Sequence, residues 1–257
     1  MHICIYNAIH KSSVSHTQVI ISTYARLSYC IGNGGVTVPF QPSRGTMTFI
    51  WSSLVHLRAS SKSIKILFNC SISQYGKLDI MLNNAGIIEV PKPNILDNDK
   101  SDFERVLNVN LVRAFLGTKH AARVMKPASR GSIITTASIC SKVGGIASHA
   151  YTSSKHGVVG LMRNAAVELE QFDIRVNCIS PYVVATPLAK NFLNLDDEGV
   201  HGIYANLKGA ILEREDVAGA ALFLGSDESK YVSGLNLIID GGVTITNSGF
   251  SMFRKSE

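Results

Sequence analysis

From about Gln74 onward the chain alternates short strand-like runs with longer helix-like runs, and that alternation is the signature of βαβ units around a parallel sheet. KLDIMLNNAG, residues 77–86, is a short apolar run ended by Asn and Gly, which predicts a buried strand and its loop. A helical pattern follows from about Asp102 to Met125, stopped by Pro127. GSIITTAS, residues 131–138, is β-rich; a second helix is expected from about Ser148 to Phe172. IRVNCISP reads as a strand closed by Pro181. EDVAGAALFLGS reads as a helix with acids suited to its N-terminal dipole, and LNLIIDGG as a last strand.

Residues 1–72 look different. They are Ser-rich, with strand-like fragments such as QVIIST and SIKILFN and no convincing amphipathic helix, so the chain divides into an atypical segment, 1–72, and a patterned region, 73–257. With 46% hydrophobic and 17% charged residues in 257, one substantial core is expected. No apolar run reaches the roughly 18 residues of a membrane helix, and MHICIYNAIHKSS lacks a secretory h-region. A cytoplasmic location is expected, with organelle targeting by the acid-free start left open.

The net charge of +6 comes from one end: residues 1–78 hold seven Lys or Arg and no acid, while the remainder is nearly neutral. That distribution offers no arginine-rich face for phosphates, so no nucleic-acid partner is expected. Cys4, Cys30, Cys70, Cys140 and Cys178 are odd in number and lack C-x-x-C spacing, which reads as reduced thiols without a metal site.

YTSSK places Tyr151 and Lys155 one helical turn apart, where a lysine ammonium can favour the phenolate and make the tyrosine a usable proton carrier. Spacing alone proves nothing, because Tyr204 and Lys208 repeat it. Context separates the pairs. Ser138 stands thirteen residues before Tyr151, at the C-terminal end of a predicted strand, where open α/β sheets bind ligands; Asn191, thirteen before Tyr204, is on no strand. His149 and His156 flank the pair and read as surface or packing histidines.

NNAG at Asn83 to Gly86, N-V-N at Asn108 to Asn110, Ser138, Tyr151-x-x-x-Lys155 and P-x-x-x-x-T from Pro181 to Thr186 resemble the short-chain dehydrogenases/reductases, in that family's order and spacing. Phrases such as AFLGTKHAARVM and SPYVVATPLA look most like its plant secondary-metabolism branch, which includes secoisolariciresinol-dehydrogenase-like enzymes. The resemblance implies an α/β fold with a Rossmann-like, doubly wound parallel sheet. It implies oxidation of a secondary alcohol, or reduction of the ketone, with a nicotinamide cofactor, NAD by branch and NADP left open. Asn110, Ser138, Tyr151 and Lys155 would form a catalytic tetrad: Tyr151 the acid/base, Lys155 lowering its pKa and holding the nicotinamide ribose, Ser138 orienting the substrate oxygen, Asn110 supporting a relay water. Asn84, Ala85 and Gly86 would lie against the adenosine side of the cofactor. Pro181, Val184 and Thr186 would meet the carboxamide, Val184 by its backbone and Thr186 by its hydroxyl. Residues 187–212 would form the substrate loop, and the long helices a homotetramer interface.

The sequence departs from that family in its first third. No T-G-x-x-x-G-x-G loop follows a first strand; GNGG at Gly32 to Gly35 runs into VTVPFQP, which cannot open a helix. No acid precedes Asp79, so the residue that reads the ribose hydroxyls is missing too. The first βαβ unit with its Gly-rich loop is therefore read as replaced or missing. An open sheet edge is expected beside the strand at Asp79 to Asn83. The alternative to an enzyme is a truncated remnant without dinucleotide binding that partners intact relatives. Arg113 stands where a small residue is usual, and Glu170 and Asp173 stand where relatives often carry glycine, Asp being tolerant of a turn.

Overall fold

Six parallel strands order the molecule as β2-β1-β3-β4-β5-β6, in a computed structural model that describes residues 18–22, 48–52, 65, 68–69, 73, 76–203, 206–207 and 209–246. The strands are β1 (Gln18–Ser22), β2 (Thr48–Ser52), β3 (Ile80–Asn83), β4 (Gly131–Thr136), β5 (Ile174–Pro181) and β6 (Asn236–Ile239). The chain lays β2 on one side of β1 and β3 on the other, so the winding reverses between β1 and β3. In open parallel sheets that reversal opens a crevice beyond the carboxyl ends of the strands. This is the parallel α/β sheet that the alternation predicts, in the Rossmann-like form that the resemblance implies.

The expected open edge beside β3 is not found. Val19 to Ser22 pair in parallel with Ile80 to Asn83, and β2 in turn pairs with β1. QVIIS, a β-branched run in the atypical segment, supplies the ladder. Its hydrogen bonds come from the backbone, so they need none of the family's usual motif. SIKILFN differs as well, since its described positions Lys65, Phe68 and Asn69 are helical. Phe68 is buried in the core 5.9 Å from the His120 ring, while Lys65 and Asn69 are exposed. A short apolar run cannot by itself separate helix from strand. The GNGG cluster and the Tyr204/Lys208 pair lie outside the described residues.

Alternation along the strands builds two cores. Met81, Ile133 and Val176 stand side by side in register and join one cluster with residues of helices α2 (Arg113–Met125) and α3 (His149–Leu169). Leu82, Ile134 and Ile179 join the other, with Val217, Ala218, Ala221 and Leu224 of α6 (Arg214–Gly225). Both faces of the sheet are covered, as parallel strands require. Arg175 ties the second layer to β5, donating to the carbonyl oxygens of Leu224 and Ser226 and to Ser229 Oγ at 2.7–3.0 Å.

Two local features bear on the site. The helix expected from Asp102 to Met125 is interrupted: α1 (Lys100–Leu107) passes through a π-turn at Asn108–Val112 before α2 begins. Such turns recur at functional sites. Asp173, with φ of 52°, adopts the left-handed turn into β5, which Asp tolerates. None of the described helices is long and apolar enough to cross a membrane.

Candidate active site

β4 ends at Thr136, and two residues later Ser138 swings into extended backbone to cap a short turn, its Oγ accepting from Cys140 N at 3.2 Å. The serine oxygen is thereby fixed at the sheet's carboxyl end. Ser148 then caps α3 by accepting from Tyr151 N at 3.3 Å, which seats the tyrosine in the first turn. One turn on, Lys155 is buried, its Nζ 5.4 Å from the Tyr151 ring centroid and donating to the Thr136 carbonyl at 2.8 Å. The Ser138 hydroxyl lies near enough to the Tyr151 phenol to favour its ionised form. Strand end and helix start therefore meet at three side chains.

Their electrostatics differ in one respect from the sequence expectation. Burial pushes the Tyr151 phenol above its ordinary value; the nearby Cys140 adds to that, and the Ser138 hydroxyl only partly offsets it. The anticipated lowering by Lys155 is not among the influences on the phenol, whose direction is set by desolvation of the phenolate. Burial also holds the Lys155 ammonium down, to about 8. At neutral pH the resting pair is a protonated phenol beside a still-charged lysine.

These residues face a cavity of about 370 Å³, which Asn84, Gly86, Ser138, Tyr151, Lys155, Pro181, Val184 and Thr186 all help to line. Thr186 caps α4 (Pro187–Leu193), accepting from Ala189 N at 3.3 Å, and Thr186 N donates to the Val184 carbonyl at 2.7 Å. The remaining wall is mostly apolar, with Ile139, Ile146, Tyr182, Leu188, Phe192 and Val217 among it. Part of the stretch expected as a substrate loop is thus helical, in α4 and α5 (Asp197–His201). The positions i and i+4 at Leu188 and Phe192 were a readable helical signal. Tyr182 and Cys140 had none beyond their neighbours.

Two predicted residues stand apart. Asn110 spends its side chain elsewhere: Oδ1 accepts from Ile87 N at 2.8 Å, while Nδ2 donates to Ile87 O at 2.9 Å and Ser154 Oγ at 3.0 Å. It clasps the loop after β3 to α3 from within the π-turn. Ala85 lines, with Asn110 and Arg113, a separate void of about 10 Å³. Arg113 is half-buried there, its pKa lowered by burial. The close packing of the helix on β3 occurs one turn later, where a Cβ on Gly117 would stand 2.1 Å from Asn83 Oδ1.

Residues 59–244 match the family model described as enoyl-(acyl carrier protein) reductase. Borneol dehydrogenase, mitochondrial, from Lavandula x intermedia is 56% identical over 203 residues, covering 79% of this chain and 76% of that one. Momilactone A synthase from Oryza sativa subsp. japonica is 54% identical over 208 residues, covering 79% and 76%. Among solved structures, levodione reductase superposes with a TM-score of 0.71 at 27% identity over 79% of both chains. ElxO with NADP bound gives 0.68 at 25% identity, over 77% of this chain and 79% of that one. The chain belongs to the short-chain dehydrogenase/reductase family.

Members of this family are oxidoreductases that use nicotinamide cofactors, and the nicotinamide end of such a group is compatible with the residues present. Lys155 commits one proton to the Thr136 carbonyl and has no other hydrogen-bond partner among the described residues. Gly86 borders both groups, since a Cβ there would stand in ordinary contact, 3.6 Å, with Lys155 Nζ and Asn110 Oδ1. The Thr186 hydroxyl, though it accepts from Ala189 N, keeps its own proton to donate. His149 is exposed, and exposed His156 engages the Thr152 carbonyl at 3.0 Å through Nδ1. Among the described residues no three His, Cys, Asp or Glu side chains gather where one ion could bind.

Proposed function

We propose that this short-chain dehydrogenase/reductase interconverts a lipophilic secondary alcohol and its ketone, with Tyr151 as the general acid/base. The observation that carries the reading is the meeting of Ser138, Tyr151 and Lys155 on one largely apolar cavity. A nicotinamide dinucleotide, NAD by branch resemblance with NADP the alternative, would supply or accept the hydride. Lys155 would hold its ribose, and Asn84, Ala85, Gly86, Pro181, Val184 and Thr186 would border it.

In the reducing direction the Ser138 hydroxyl donates to the carbonyl oxygen and the Tyr151 phenol delivers its proton to that oxygen. The resting phenol suits this step, since burial keeps it protonated. The charge left on the phenolate forms beside the Lys155 ammonium, which reduces its cost in a poorly solvated pocket. In the oxidising direction the same proton returns to Tyr151. Asn110 acts by position, since its side chain fixes the loop and α3 rather than facing the cavity. The apolar wall excludes water and takes up the hydrocarbon of the substrate, in keeping with the likeness to borneol dehydrogenase. Residues 73–257 form the catalytic region, and a homotetramer through the long helices would cover exposed Val112, Phe115 and Val167.

Purified protein titrated with NADH should enhance the nucleotide's fluorescence and oxidise a bicyclic secondary alcohol when NAD is supplied. Tyr151→Phe should still bind NADH and lose activity by about a hundredfold or more. An absence of binding at millimolar nucleotide would leave the non-catalytic reading instead.

A further inference from the structure

We infer that Thr136 is a positioning residue for nucleotide binding, turning the Asn84 amide so that its NH₂ group is presented to the cavity as a donor for a ribose oxygen. The inference rests on the dehydrogenase reading above and concerns the grip on the nicotinamide-ribose half. Thr136, Asn84 and Lys155 all line the 370 Å³ cavity, and Thr136 touches both of the others. Its hydroxyl donates to Asn84 Oδ1 at 2.7 Å, and its carbonyl accepts from Lys155 Nζ at 2.8 Å.

The chemistry of an amide makes the first contact directional. An amide side chain has one acceptor end and one donor end. With Oδ1 receiving the threonine proton, the opposite end is Nδ2. No partner for Nδ2 is found among the described residues, and Asn84 is only partly buried, so those protons open on the cavity. A second set of donors stands beside them, because the glycine loop that carries Asn84 brings Gly86 against the Lys155 ammonium. Two donor groups flank one strand end, and both are held by the same residue. Hydroxyl and ring oxygens of a ribose accept from such donors; an apolar substrate offers them nothing. The threonine contact is also what a hydrophobic isostere would remove without disturbing the backbone carbonyl that holds Lys155.

The test is NADH binding by fluorescence titration, with steady-state kinetics, for the parent and for Thr136→Val, Thr136→Ser and Asn84→Asp. Thr136→Val should raise Kd and KM for the nucleotide about tenfold, the scale of one lost hydrogen-bonding arrangement, with a much smaller change in kcat. Thr136→Ser should restore both, and Asn84→Asp, which replaces the donor by an acceptor of the same shape, should weaken binding at least as much. Asn84→Ala combined with Thr136→Val should be no weaker than Asn84→Ala alone. Equal nucleotide affinity in the parent, Thr136→Val and Asn84→Asp would overturn the assignment while leaving the dehydrogenase reading in place. A parent that binds no NADH at millimolar concentration would overturn that reading and this inference with it. Should Thr136→Val not fold, the Asn84→Asp comparison decides alone.

Discussion

Tyr151 and Lys155 were legible because a helix fixes their spacing, and Ser138 because a strand end fixes its place at the carboxyl side of the sheet. The direction of the Tyr151 shift was not, since proximity can be read from sequence but desolvation cannot. Lys155 gives this a measurable form. Its folded value of about 8 lies below the ordinary 10.5, so between those pH values the unfolded chain binds the proton more tightly and stability rises with pH. Denaturant midpoints compared with Lys155→Met should show that rise in the parent and lose it in the variant. A parent whose midpoint is flat from pH 8 to 10 relative to the variant would contradict the buried ammonium. Thr136 escaped notice for a different reason: one of its two contacts runs through a backbone carbonyl, which no residue type announces.

At the scale of elements, the main helices and β3 to β6 follow from alternation and punctuation, with ends shifted by a few residues. The π-turn did not follow, because what accompanies it, the Asn110 clasp on Ile87 and Ser154, joins residues 23 and 44 positions apart. Gly117 belongs to the same seam. A methyl group there would meet Asn83 Oδ1 at 2.1 Å, whereas the exposed Gly160 of α3 has nothing within 4 Å of its added Cβ. Gly117→Ala should therefore destabilise the fold by about 1–3 kcal/mol, as overpacking does. Gly160→Ala should stabilise it by about 0.5–1 kcal/mol through helix propensity. Thermal melts of the two variants should move in opposite directions. Two shifts of the same sign would mean that the seam relaxes more easily than its geometry suggests.

For the whole molecule, the sheet order places the winding reversal at β1 and β3, and the candidate site lies beyond the carboxyl end of β3 and its neighbours. In dinucleotide-binding sheets of this kind the first strand is followed at once by glycines that admit the pyrophosphate. Here Thr23 to Tyr29, the seven residues after β1, include none. On the proposed reading, cofactor affinity should then come mainly from the nicotinamide half, which Lys155 would hold. Reduced nicotinamide mononucleotide is expected to bind within about tenfold of NADH. A preference for NADH of a hundredfold or more would reveal a strong hold on the adenosine half. The family was readable from the last two thirds of the sequence. The pairing of QVIIS with β3 was not, because ladder bonds belong to the backbone and leave no trace in residue identity.

The short helix α4, Pro187–Leu193, forms one wall of the cavity from a capped start at Thr186, whereas Ser138 sits just beyond β4 and Tyr151 and Lys155 on α3. On the proposed reading, reactivity and taste for substrate would reside on separate pieces of chain. Exchanging those seven residues for other helical sequences would reshape what enters while sparing the atoms that react, a route by which one scaffold can serve many hydrocarbons.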